Sequence, residues 1–428
     1  MNAKSMTAGR GVLLGFMTLY AALFSAFGFS SPFLPAFLDE RGLAPEQLGL
    51  ALGAGAALRL VCGPLVGGLA DRFHFLRAEL AVCAVLAAGV TLLYLPAHGF
   101  WAVMAISLLQ ATALASLVPL ADALSLAHAR PRPNKQVFEY GWVRGAGSAA
   151  FVAATLAVGQ AAGSYGLSAT IWLSAAALLA VPIAAGLVPP FPSNTASGPA
   201  DMPHRPWLTL LRQRAFVWLI VAAALVLGSH AMNDSFAVIR WSEAGIGTAV
   251  TGVLWSEAVA AEVLVFFFLG PNLLRAVSPV GALAVAAFCG VLRWGVLAQT
   301  VDLVALGLVQ PLHGFTFALF HLAAMRIIGD TVSRDFAATA QAVYGLVAVG
   351  GAEAALLLLS GWLYAHFGAA GFWVMAALCA AAFPVIWLLA AGARVTAAAW
   401  QGTPNQPSSR RRSRVKAGGA ASCPFCPC

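Results

Sequence analysis

Apolar runs of about twenty residues, separated by short polar or basic breaks, follow one another along almost the whole chain. They fall at roughly 11–38, 47–70, 76–96, 100–128, 141–162 and 168–188, then 215–240, 247–269, 278–298, 303–327, 338–362 and 369–391. A helix needs about 20 apolar residues to cross the hydrocarbon core of a bilayer, so each run predicts one membrane-spanning helix. The expected fold is an all-α membrane protein with twelve transmembrane helices. One long break, PPFPSNTASGPADMPHRPWLTLLRQR, divides them into six and six. The expected domains are a six-helix bundle over 1–188, a cytoplasmic linker over 189–214, a second bundle over 215–392 and a basic cytoplasmic tail over 393–428, expected to be disordered.

Composition narrows the function classes. The chain is 61% hydrophobic and 9% charged, whereas soluble domains average about 45–50% and about 25%. Its 42 glycines suit helices packed closely in lipid. Twelve spans leave no room for a catalytic domain, and an enzyme is not expected. The start, MNAKSMTAGR, runs into the first apolar segment without a cleavage-like site, which predicts a retained helix. The cysteines form neither a disulfide framework nor a metal set, and no cofactor is expected.

The formal charge of +8 does not point to nucleic acid, because the basic residues sit in the breaks between apolar runs. Threaded through twelve spans, 19 of the 24 lysines and arginines fall on the side of the termini. Arg41 and Arg240 fall opposite, while Arg59, Arg144 and Arg293 lie in or near spans. By the positive-inside rule both termini are expected in the cytoplasm. A faint repeat, Gly67 to Arg72 at the end of the second span and Gly270 to Arg275 at the end of the eighth, suits two pseudo-symmetric halves.

Gly67-x-x-x-Asp71-Arg72 resembles the cytoplasmic gating signature of the major facilitator superfamily. A broader likeness, to the superfamily's phenylpropionic acid permease group, runs through Phe33-Leu34-Pro35-x-Phe37-Leu38, Ser229-His230-Ala231, Ala261-Glu262-Val263 and His321-Leu322-Ala323-Ala324-Met325-Arg326. Pro119-x-x-Asp122 and Phe138-Glu139-Tyr140-Gly141-x-x-Arg144 are similar to the lactose permease branch, where the corresponding acid and arginine lie at the sugar site. That branch holds a proton-carrying carboxylate three residues after the counterpart of His313; here the place is Thr316. The resemblance implies a bacterial inner-membrane permease, proton-driven, for a small organic solute such as an aromatic carboxylate. Sugar or nucleoside symport and efflux antiport are the alternatives. One chain holds both halves, so a monomer is expected.

An ionisable group at the bilayer centre costs about 2.5–3.5 kcal/mol on insertion scales and persists only with a partner or a task. Arg144 is expected to hold the substrate's polar head, with Asp122, His313, His230, Arg293 and Trp142 as further binding candidates. Trp142, Trp255, Trp294 and Tyr344 can form an aromatic wall, although packing is the commoner use of such residues. Glu262 is the first candidate proton carrier, with Glu257 and Asp234 behind it. Glu257 and Glu262 are five residues apart, about 140° around a helix, so only one can face a cavity squarely. His313 and His321 are eight apart, near one helical face. Arg59 and Glu353 are read as structural or gating charges.

Overall fold

The computed structural model describes residues 3–73, 76–129, 138–189, 206–333 and 336–401. Among these, regular structure is helical throughout, and ten stretches are long and apolar enough to cross a membrane. Two of the ten, Thr248–Gln299 and Thr339–Ala391, hold 52 and 53 residues, about 78 Å of helix at 1.5 Å per residue. The hydrocarbon core is about 30 Å thick, so each is long enough for two passes. The first breaks at Ser278, at φ 64° and followed by Pro279; the second breaks at Gly368, at φ 52°. Counted as two passes each, they bring the total to twelve.

The first six are α1 (Ala3–Ser30, resumed as Leu34–Glu40), α2 (Pro45–Phe73), α3 (Leu76–Leu93), α4 (Phe100–Leu114 and Leu117–Ala129), α5 (Tyr140–Tyr165) and α6 (Ser168–Gly186). Then come α7 (Arg214–Gly228 and Ala231–Glu243), α8 (Thr248–Leu264, continuing to the Ser278 break), α9 (from that break to the end of Gly270–Gln299) and α10 (Leu303–Val309, Gly314–Leu319 and Phe320–Thr331). The last two are α11 (Ala337–Val343, Tyr344–Gly351 and Ala352–Phe367) and α12 (Phe372–Gln401). Two details differ from expectation. A short helix, Pro206–Leu211, stands inside the linker region, and α12 runs on to Gln401 through an alanine-rich stretch that favours helix. Residues 190–205 and 402–428 of the expected linker and tail lie outside the described residues.

Interruptions in the helices have local causes. Pro119 has no N–H to give the Ala115 carbonyl, and α4 breaks at Ala115–Ser116. In α7, Ser229 Oγ donates to the Val226 carbonyl at 2.6 Å and His230 Nδ1 meets the Leu227 carbonyl at 3.0 Å. Side chains thus occupy carbonyls that the helix ladder would otherwise use, and α7 breaks at His230. Three π-helical turns, Val265–Leu269, Gly314–Leu319 and Tyr344–Gly351, lie in α8, α10 and α11. Such turns concentrate near functional sites.

Packing is asymmetric along the membrane normal. At the end away from the termini one apolar core joins both halves, including Phe33, Leu48, Val103 and Val158 with Phe236, Trp241, Leu254 and Phe372. At the terminal end the halves keep separate cores, one around Phe16, Leu80 and Leu178, the other around Phe216, Leu283 and Phe320. Close backbone approaches pin the joined end. A Cβ at Gly361 of α11 meets the Pro45 carbonyl oxygen at 2.6 Å, and one at Gly159 of α5 meets the Thr248 carbonyl oxygen at 2.8 Å. Only glycine fits at such distances, and small residues at crossings are the usual device of packing in lipid. Among the described residues, the halves therefore meet at one end and keep separate cores at the other.

Candidate functional site

A cavity of about 420 Å³ lies between the halves. Its walls include Phe27, Ser30, Arg59 and Phe151 from the first half, and His230, Asn233, Asp234, Trp255, Glu262, Arg293, Gln310, His313, Phe317 and Glu353 from the second. The volume is in the range of sites for small organic ligands, about 300–1,000 Å³.

A polar relay on its wall runs across three helices. Arg293 of α9 is 1% exposed. One of its terminal nitrogens lies 3.0 Å from His313 Nδ1 and the other donates to Gln310 Oε1 at 2.9 Å. A guanidinium can only donate, so His313 Nδ1 must accept and the imidazole proton sits on Nε2. That nitrogen faces Glu262 Oε2 of α8 at 3.3 Å. A neutral imidazole therefore links a fixed cation to a carboxylate, and a change of charge on Glu262 is felt at Arg293. Glu262 also lies within electrostatic reach of Arg144 and His321.

His230 closes the group from behind. Its Nε2 lies 2.9 Å from Thr316 Oγ1, its ring centroid 5.2 Å from those of both His313 and Trp294. Nδ1 must donate to the Leu227 carbonyl, so a neutral His230 takes the Thr316 hydroxyl proton on Nε2. Thr316 Oγ1 also lies 3.2 Å from the His313 carbonyl. Its single proton serves one partner or the other, which ties the two histidines together. The π turn Gly314–Leu319 absorbs an extra residue between His313 and His321. Eight residues then span close to seven, about 700° on the ordinary period, which brings the two histidines to a common face. His321 Nδ1 meets Tyr344 Oη at 3.4 Å.

Of the other expected residues, Asp234 and Trp255 line the cavity and the rest lie elsewhere. Asp122 does not line the cavity; it accepts hydrogen bonds from Tyr20 Oη and from Tyr140 Oη, the latter at 2.6 Å, within the first half. Arg144 also stands off the wall, its guanidinium carbon 4.9 Å from the Phe24 ring centre. Trp142 is 64% exposed. Glu257 faces away from the cavity, toward α10, with Oε2 3.9 Å from where a Cβ at Gly307 would sit. The four aromatics form no common wall: Trp255 lines the cavity, Trp294 packs under Arg293 with 4.6 Å between guanidinium carbon and ring centre, and Tyr344 packs at His321. Asp234 accepts from Asn233 Nδ2 at 3.1 Å and feels the charge of Arg293. For Gly67, Asp71 and Arg72 only the helical backbone of α2 is described, so the gating side chains lie outside the described residues.

Gln310 was not among the expected residues, yet it fixes Arg293. The signal for it was an amide in an apolar run, one helical turn before His313. Arg59 and Glu353 were legible as charges, but not as walls of the same cavity.

Comparison with known proteins gives a consistent set of matches. The model of the MFS_1 like family matches residues 13–375. The "Probable 3-phenylpropionic acid transporter" of Escherichia coli (strain K12) is 34% identical over 387 residues, 89% of this chain and 96% of its own. The "Maltose permease" of Geobacillus stearothermophilus is 25% identical over 383 residues, 89% of this chain and 95% of its own. Among solved structures, the nucleoside transporter NupG superposes with a TM-score of 0.73 at 16% identity, covering 89% of this chain and 98% of that one; this likeness speaks for the fold.

Proposed function

The chain belongs to the MFS_1 like family and is a multi-pass secondary transporter of the major facilitator type, and from that premise we propose that it imports a small aromatic carboxylate together with protons. The support for proton coupling is the buried Arg293–His313–Glu262 relay on the cavity wall. A carboxylate in such a place is held ionised by nearby cations and, without them, favours its protonated form. An anionic substrate in the same cavity adds negative charge near Glu262 and therefore promotes proton uptake there, and substrate release promotes proton loss. Arg144 acts on Glu262 from the facing half. Arg293, which donates to Nδ1, keeps His313 in the required tautomer.

The support for an aromatic carboxylate is the 34% identical relative's name together with the aromatic and cationic walls. The membrane in this reading is the bacterial inner membrane, with both termini cytoplasmic as the arginine and lysine count indicates. The end with separate cores then faces the cytoplasm. Alternating access follows from rocking the halves about the cavity, with the joined end opening as the other end closes. A single chain suffices, with the proton gradient as energy source.

Purified protein in liposomes, with an inward-directed pH gradient, tests the reading. Labelled 3-phenylpropionate is expected to accumulate, and to stop accumulating when a protonophore collapses the gradient. Accumulation of maltose or uridine instead transfers the reading to a sugar or nucleoside symporter.

A further inference from the structure

Three arginines stand in or beside the cavity, and two of them are already engaged. Arg293 gives both terminal nitrogens to His313 and Gln310, and Arg144 lies over Phe24. Arg59 differs. It projects from α2 into the cavity wall and is exposed there. Among the described residues it has no hydrogen bond and no ion pair within 4.0 Å. The opposite charge within its reach is Glu353 of α11, on the other half, which feels the Arg59 charge without closing a salt bridge. Glu353 in turn is within reach of Asp234, another carboxylate.

A guanidinium in the middle of an apolar span is costly unless it is paired or has a task. An uncommitted one, facing a cavity, presents a planar fork of donors that matches a carboxylate in bidentate geometry. We propose that Arg59 is the anchor for the substrate's carboxylate, an anion subsite contributed by the first half of the chain and shielded by Glu353 of the second. This deepens the aromatic-carboxylate reading and rests on it. The bound carboxylate takes the Arg59 fork, and the apolar body of the substrate lies along Phe27, Phe151, Trp255 and Phe317 of the same cavity. Glu353 competes with substrate for the Arg59 charge. In the empty protein it partly neutralises the arginine, and it weakens anion binding enough for release.

The geometry also accounts for the place of the subsite. Arg59 and Glu353 lie on the two helices, α2 and α11, whose other ends are pinned at Gly49 and Gly361. An anion held on α2 beside α11 sits at the hinge between the halves, where its arrival and departure act on both.

Binding to full-length purified protein, measured by calorimetry with 3-phenylpropionate and with its uncharged primary amide, tests the proposal. The wild type is expected to prefer the acid by at least about tenfold, since hydrogen bonds to charged groups are the strong ones. Arg59→Gln is expected to weaken acid binding about 10- to 100-fold while leaving the amide unchanged. Arg59→Lys, which keeps the charge without the fork, is expected to fall between. Glu353→Gln is expected to tighten acid binding several-fold, and it supplies the answer if Arg59→Gln fails to fold. A wild type indifferent to charge overturns the carboxylate reading, and the anchor with it. Acid preference kept in Arg59→Gln, or acid affinity unmoved in Glu353→Gln, overturns the anchor alone.

Discussion

Replacing Gly361 with alanine adds one methyl group where the halves are pinned. A Cβ there lies 2.6 Å from the Pro45 carbonyl oxygen, 3.0 Å from Gly49 Cα and 3.1 Å from Glu46 Cα. All three are backbone atoms, which no rotamer change can move aside. Carbon atoms settle at about 3.5–4.0 Å, so α2 and α11 must separate by roughly 1 Å at this point. Overpacking of this kind costs about 1–3 kcal/mol. The cost falls on the state in which this end is joined, because opening the end removes the contact. A difference of that size shifts a two-state equilibrium about 5- to 150-fold. Nitroxides on cysteines introduced at Ala44, in the loop before α2, and at Ala370, in the short 3-10 turn between α11 and α12, report the shift by pulsed electron resonance. Gly361→Ala is expected to move the distance distribution to longer values and to slow net uptake. A distribution identical to that of the parent protein refutes the reasoning, since it means that the helices absorb the methyl group without parting.

Other perturbations follow from the same contacts. Asp122→Asn leaves Tyr20 and Tyr140 with a weaker acceptor, since bonds to a charged group are worth about 1.5–3 kcal/mol and neutral ones about 1; thermal unfolding should fall by a few degrees while the substrate Kd stays within about twofold. Thr316→Val removes the proton that a neutral His230 accepts and leaves a buried nitrogen unpaired, at a cost of about 1–3 kcal/mol; a loss of thermal stability and of pH-driven uptake is expected, and a variant equal to wild type in both contradicts the tie between the histidines. Trp142→Phe touches nothing on the cavity wall, so binding and transport are expected to stay within about twofold; a large loss of affinity places the substrate away from the cavity.

Much of the fold was legible because lipid punishes polar residues so severely. Apolar runs at the length of a bilayer, and basic residues gathered in the breaks, mark the passes without reference to packing. The same penalty makes Arg293, His313 and Glu262 conspicuous in their runs, and the structure brings these three together. What the pattern does not carry is which faces meet. Arg59 and Glu353 are far apart in sequence, and nothing local tells that α2 and α11 stand side by side. Asp122 and Arg144 matched a motif, but two tyrosines hold the acid within the first half and Phe24 lies under the arginine, contacts set by tertiary packing. Gln310 is uncharged, so an amide in its apolar run is a weaker signal than the charges around it. The π turns are also invisible to a search on the ordinary helical period, and one of them sets the register of His313 against His321. Finally, which end of the molecule is joined depends on glycine contacts between halves, and a single sequence does not state that a glycine faces another helix.

The central claim is that one carboxylate, Glu262, carries the proton that substrate movement requires. Glu262→Gln keeps the shape and a hydrogen-bonding group for His313 while removing the proton exchange. In liposomes, exchange of labelled for unlabelled substrate needs no net proton movement, whereas accumulation under a pH gradient does. The variant is expected to retain exchange and to lose accumulation by at least about tenfold. Full pH-driven accumulation by Glu262→Gln contradicts the account.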